Sequence, residues 1–107
     1  MTRPSTNSIS RAKLINLESQ VLLLLQLTPT DSEVFDIRLR VYPGDDSIHL
    51  PLDLQLIVLN EAGNTSMEAQ ARSADDWMQL EFSCQHEEKF SVKIVLGETS
   101  LMEEFVV

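Results

Sequence analysis

Trp77-Met78-Gln79-Leu80-Glu81-Phe82-Ser83-Cys84 is the stretch that decides the fold. Met78, Leu80 and Phe82 point one way; Trp77, Gln79, Glu81 and Ser83 point the other. That is the period of two expected of a half-buried strand. Cys84 continues the inner face. Similar segments flank it, separated by turn residues. Ser66–Arg72 sets Met67, Ala69 and Ala71 against Glu68, Gln70 and Arg72, and its small inner side chains predict a close approach of two sheets. Phe90–Leu96 turns Phe90, Val92, Ile94 and Leu96 inward. Asp75-Asp76 and Gln85-His86-Glu87-Glu88 supply the turns between them.

Towards the N-terminus the same logic continues. Phe35–Tyr42 has an inner face of Phe35, Ile37, Leu39 and Val41 and an outer face of Asp36, Arg38, Arg40 and Tyr42. Pro43-Gly44-Asp45-Asp46 ends it with a strong turn signal. Ser47–Asp53, which contains Pro51, reads as an irregular crossing between sheets. In Leu54–Asn60 the residues Leu54, Leu56 and Val58 share a face, yet Ile57 and Leu59 opposite them are apolar too. Glu61-Ala62-Gly63-Asn64 is a hairpin loop. Val21–Leu27 is almost wholly apolar, which suits a strand buried on both faces or the start of a helix. Residues 14–20 fit a short helix or the lead into that strand. Residues 1–13 show no periodicity and read as a flexible tail or linker. Leu101–Val107 closes the chain as a strand. About seven strands, evenly spaced, predict an all-β protein over residues 14–107: an antiparallel β-sandwich, immunoglobulin-like or similar.

Bulk properties exclude several functions. The chain has 107 residues, 43% hydrophobic, enough for one domain with a real core. Its net charge is −9, unevenly spread: residues 1–13 hold Arg3, Arg11 and Lys13 and no acid, and the remainder sums to −12. So acidic a domain repels phosphate backbones, and no nucleic-acid partner is expected. The longest unbroken apolar run, Val21–Leu25, is far short of the roughly 20 residues that a membrane helix needs, so no membrane partner is expected. A single cysteine, Cys84, excludes a disulfide framework and suits a cytoplasmic protein.

No constellation for catalysis emerges. There is no Gly-rich phosphate loop, and His49 and His86 lack metal-ligand spacing to each other or to Cys84. Cys84 has Glu81, Glu87 and Glu88 nearby, which oppose a thiolate, and it reads as a core filler. No cofactor is expected. Strand parity places Asp45, Asp46, Asp75, Asp76 and Glu98 at one end and Glu61 and Glu88 at the other. Loop carboxylates of this kind are weak candidates for a calcium site, since hairpin tips favour Asp anyway. The outer-face apolar residues Trp77, Ile57, Leu59, Val95 and Val106 are the candidate interaction set. Either a partner covers them, or residues 14–27 fold over that face.

Several blocks resemble a cyanobacterial family catalogued as a domain of unknown function, number 1822. They are Leu52-Asp53-Leu54-Gln55-Leu56-Ile57-Val58-Leu59, Glu61-Ala62-Gly63, Glu68-Ala69-Gln70-Ala71-Arg72-Ser73, Asp76-Trp77-Met78-Gln79-Leu80-Glu81-Phe82, Glu88-Lys89-Phe90-Ser91-Val92 and Glu103-Glu104-Phe105-Val106-Val107. The likeness covers about residues 20–107. Where that family has a Gly-Glu-Arg-Phe-like turn, this chain has Glu87-Glu88-Lys89-Phe90, a departure that bears on the turn geometry there. The resemblance implies the C-terminal β part of a longer signalling or stress-related protein and no catalytic residues. The expectation is a non-catalytic protein-interaction module, binding an unknown protein partner or a second copy of itself. The alternative is a ligand-binding sandwich using acidic loops for calcium or a small polar molecule such as a sugar.

Overall fold

The computed structural model describes residues 8–30, 32–44, 48–72 and 75–107. Among these residues there is no helix, and eight strands follow in order: β1 (Ile9–Asn16), β2 (Gln20–Pro29), β3 (Val34–Pro43), β4 (Gln55–Leu59), β5 (Thr65–Gln70), β6 (Met78–Gln85), β7 (Lys89–Leu96) and β8 (Thr99–Val106). They form two four-stranded antiparallel sheets, β1-β2-β3-β6 and β5-β4-β7-β8. The chain changes sheet at β3–β4, β5–β6 and β6–β7. β3 and β6 are therefore neighbours in one sheet, and β4 and β7 in the other. This Greek-key interlock lies at the centre of immunoglobulin-type sandwiches.

Alternation explains why the sheets stack. Val21, Leu23 and Leu25 of β2, Ile37, Leu39 and Val41 of β3, and Met78, Leu80 and Cys84 of β6 face inward from the first sheet and are buried. Leu56 and Val58 of β4 and Phe90, Val92, Ile94 and Leu96 of β7 meet them from the second. All belong to one cluster. Each fully buried Leu, Ile or Val contributes about 1.5–3 kcal/mol of transfer free energy. Phe90 adds ring contacts, edge-on to Phe82 and stacked with Phe105, both at 5.2 Å between centroids. No polar or charged side chain is buried among the described residues.

The small side chains of β5 do mark a close approach: β5 and β6 are where Cα traces of the two sheets come within 8 Å. Ala71, just past β5, is buried there. The crossing from β3 to β4 is irregular in its described part and is fastened to the β5–β6 connection. Leu50 N donates to Asp75 O, and Asp53 N donates to Ala71 O.

Three expectations need correction. Residues 9–13, read as tail, are strand: β1 pairs with β2 along its whole length, from Ile9–Leu27 to Asn16–Gln20. Its alternation is broken because Arg11 and Lys13 take inward positions at an open edge, where charge reaches water. The strand count is therefore eight rather than about seven. Finally, residues 14–27 do not fold over another face. They are the end of β1, a tight turn and most of β2, all within the first sheet.

Candidate interaction surfaces

The ladder registers place every outward side chain. On the first sheet, Leu14 of β1 lies opposite Leu22 of β2, and Leu22 lies opposite Tyr42 of β3. Carrying the β3–β6 register one residue past Val41–Met78 brings Trp77 beside Tyr42. The two rings stack at 6.3 Å between centroids and 26° between planes. Leu14-Leu22-Tyr42-Trp77 is thus one apolar rung across four strands. Leu14 is 56% exposed and Trp77 is 47% exposed. The next rung holds Ala12, Leu24, Arg40 and Gln79. Arg40 Nε donates to Gln79 Oε1 at 2.7 Å, and its guanidinium donates to the Tyr42 hydroxyl at 3.2 Å. The guanidinium carbon stands 5.1 Å from the Trp77 ring centroid, a cation–π contact.

The same sheet turns polar at its other end. A shallow groove of about 530 Å³ is lined there by Gln26, Thr28, Asp36, Arg38, Glu81 and Ser83. Its charges are already engaged. Arg38 Nε donates to Glu81 Oε2 at 3.1 Å, and Ser83 Oγ donates to Asp36 Oδ1 at 3.1 Å.

The second sheet is organised differently. Ile57 sits between Glu68 and Lys93, and Val95 between Gln55 and Ser100. Leu59 lies opposite Ser91, Met102 opposite Lys93, and Val106 opposite Lys89. Each outward apolar residue is therefore flanked by a polar or charged one, and Lys93 stands opposite two of them, Ile57 and Met102.

The structure divides the candidate interaction set. Ile57, Leu59, Val95 and Val106 share the outer face of the second sheet, and Trp77 stands on the opposite side of the molecule. Sequence reasoning had also missed Leu14, Leu22 and Leu24. For Leu22 and Leu24 a run with no polar residue conceals which side is outward, and for Leu14 the inward Arg11 and Lys13 hide the alternation. Leu22 and Leu24 are half-buried, in contrast to the expectation of a strand buried on both faces.

Of the acidic loop candidates, Asp45 and Asp46 lie outside the described residues. Asp75 Oδ2 accepts from Arg72 N at 2.7 Å, closing its own turn, and Asp76 Oδ1 lies 3.0 Å from His49 Nδ1. Among the described residues no group of three or more His, Cys, Asp or Glu is placed to hold a metal. His86 lies at the other end of the sandwich from His49, its N–H donating to Glu33 O and its ring 6.0 Å from Phe35. Cys84 is buried, as expected of a core filler. Burial, and secondarily the charge of Glu88, pushes its thiol pKa up to about 11.

Two four-stranded antiparallel sheets packed face to face define the class: an all-β sandwich domain. The chain belongs to the family described as protein of unknown function (DUF1822), which it matches over residues 2–106. That span includes β1. No curated protein and no solved structure matches the chain. Among the described residues no helix is long and apolar enough to cross a membrane.

Proposed function

We propose that this domain is a non-catalytic protein-interaction module of a signalling or regulatory protein, working in the cytoplasm and binding through the outer face of β1-β2-β3-β6. The observation that carries the reading is the continuous rung Leu14-Leu22-Tyr42-Trp77, which nothing covers among the described residues. A contiguous apolar row with an aromatic pair and an arginine has the composition of an interface centre, where Trp, Tyr and Arg carry most of the binding energy. The high thiol pKa of Cys84 and the all-apolar interior support a non-catalytic role. For the ligand-binding alternative, the polar groove on the same face offers carboxylates, but Asp36 and Glu81 are engaged locally and the exposed aromatic pair lies outside its lining.

The test is partner capture on the immobilised chain, with light scattering of the free chain to detect self-association. Trp77→Ala is expected to lower partner recovery at least about tenfold, the loss typical of a hot-spot residue. Ile57→Asp, on the opposite sheet, is expected to leave recovery within about twofold, as for a residue outside the interface. Equal recovery with both variants would remove this face from consideration.

A further inference from the structure

We propose that the free edge of β1 is a strand-addition site for an extended acidic segment of a partner protein. The segment would set a carboxylate against Arg11 and, two residues away, an apolar side chain beside Ile9. The inference rests on the interaction-module reading but uses a different surface from the Trp77 face.

β1 lies at the end of its sheet and is paired on one side only. Ile9–Asn16 contains no Pro or Gly, and its register with β2 runs unbroken through eight residues. Such an edge is a template for a further strand, and proteins restrain it with inward-pointing charges. Here Ile9, Arg11, Lys13 and Ile15 point inward. Lys13 is satisfied across the mouth of the sandwich, its Nζ 2.7 Å from Glu103 Oε1 of β8. Arg11 has no ion-pair or hydrogen-bond partner among the described residues.

Two clefts of side-chain size flank Arg11. One, about 230 Å³, is lined by Lys13, Leu23, Leu25, Glu103 and Phe105 together with Arg11. The other, about 210 Å³, adds Ile9, Leu27, Phe90, Glu104 and Val106. They follow each other along β1, as the alternate inward side chains of an added strand do.

Charge decides the occupant. Antiparallel pairing of two copies of β1 about a two-fold axis at Arg11, Ala12 or Lys13 sets basic residues against basic residues, which is destabilising. In these registers the edge resists a second copy, and Arg11 accepts a strand with a carboxylate at the matching position. β1 itself carries no acid; the carboxylates lining its clefts come from β8, where Glu103 is engaged by Lys13 and Glu104 stands at the second cleft.

The experiment titrates the full chain into a fluorescein-labelled peptide, Thr-Val-Thr-Glu-Thr-Val-Thr, and follows anisotropy. Saturable binding is expected, weakened about fivefold or more by Arg11→Glu. The order should reverse for the peptide with Lys in place of Glu. N-methylation of alternate peptide amides should abolish binding, since main-chain hydrogen bonds hold an added strand. Arg11→Gln serves as a second variant, with melting temperature confirming that both are folded. No saturable binding at millimolar concentration, equal binding of the N-methylated peptide, or indifference to both Arg11 variants would each overturn the proposal. Trp77→Ala is expected to leave peptide binding unchanged. Failure of the peptide while the Trp77 partner is still captured would remove the edge site and leave the module reading standing.

Discussion

On the outer face of β1-β2-β3-β6 the apolar side chains line up in one rung, whereas on β5-β4-β7-β8 they are dispersed among polar ones. The two faces carry comparable numbers of large apolar residues. What differs is adjacency: Leu14, Leu22, Tyr42 and Trp77 stand opposite one another across successive strands, but Ile57 has Glu68 and Lys93 on either side. Dispersed apolar residues are ordinary on a protein surface, since long charged stems cover them. A contiguous row leaves water no polar group to bind and favours a partner. The contrast shows why the number of outward apolar residues is a poor guide to an interface, and the register of the ladder a good one.

The largest expected effect tests whether β2 really has an open side. Leu23 is buried and Leu22, its neighbour, faces outward half-covered. Leu23→Ala is expected to destabilise by about 3 kcal/mol, from lost transfer energy and a residual cavity. Leu22→Ala is expected to cost less than about 1 kcal/mol, as surface changes do. Urea denaturation of the two variants measures the difference. Equal losses would mean that β2 is enclosed on both sides and would erase the contrast between the faces.

β6 repeats the contrast along one strand, with Trp77 outward at its start and Cys84 inward near its end. The Cys84 thiol is raised from 9.0 to about 11 by burial, with a smaller contribution from Glu88. The folded state therefore holds this proton more tightly than the unfolded chain. The associated stability is intact below pH 9 and is lost as pH rises through 9 towards 11. Denaturation midpoints should fall across that window, and fall less in Cys84→Ala, which has no thiol to titrate. A thiol reagent at pH 8 should label the folded chain far more slowly than the urea-unfolded one.

Arg40 sharpens the comparison on the aromatic side. Its cation–π contact with Trp77 is worth about 0.5–1 kcal/mol at an exposed site. Arg40→Ala is expected to lower stability by about that amount and to change the emission of Trp77, the chain's one tryptophan. Lys93→Ala on the opposite face should leave the emission unchanged. A fluorescence response to Lys93→Ala would show that the two faces are coupled.

How much of this was legible in the sequence depends on where each strand sits. β3 and β7 lie inside their sheets, and β6 ends its sheet where β5 comes close; all three have one face in the core, and their period-two patterns give both faces correctly. β1 is at an open edge, so Arg11 and Lys13 occupy inward positions without being buried, and the pattern that would have announced a strand is broken. Alternation also says which residues share a side of one strand, but not which sheet the strand joins. Separating Trp77 from Ile57 needed the knowledge that β6 pairs with β3 while β4 pairs with β7. That pairing is set by contacts far apart in the chain, and no local run of residues carries it. Asp75 shows why turn carboxylates are a weak sequence signal for a site: short Asp side chains at turns bond to their own backbone first, as Asp75 does to Arg72 N.

The smallest effect concerns the turn joining the two sheets after β6. Glu87 adopts φ +70° there, the left-handed region that costs a residue with a Cβ about 1–2 kcal/mol. The conformation is held by its surroundings: Glu87 N donates to Val107 O at 2.6 Å, and Glu88 N donates to Gln85 O at 3.0 Å. The Gly-Glu-Arg-Phe-like turn of the resemblance would set a glycine at this position, and the observed geometry is one that glycine adopts without strain. Glu87→Gly is therefore expected to stabilise by about 0.5–1 kcal/mol, the relief of strain being partly offset by glycine's greater freedom when unfolded. Asp53, at φ +68°, is the control. Its Oδ1 accepts a hydrogen bond from Gln70 Nε2 at 3.1 Å, so Asp53→Gly gives up a contact along with the strain and should show no gain. If thermal denaturation found Glu87→Gly neutral or destabilising, the Glu87 side chain would have to contribute to holding the two sheets in register. The outer faces could then no longer be treated as independent surfaces.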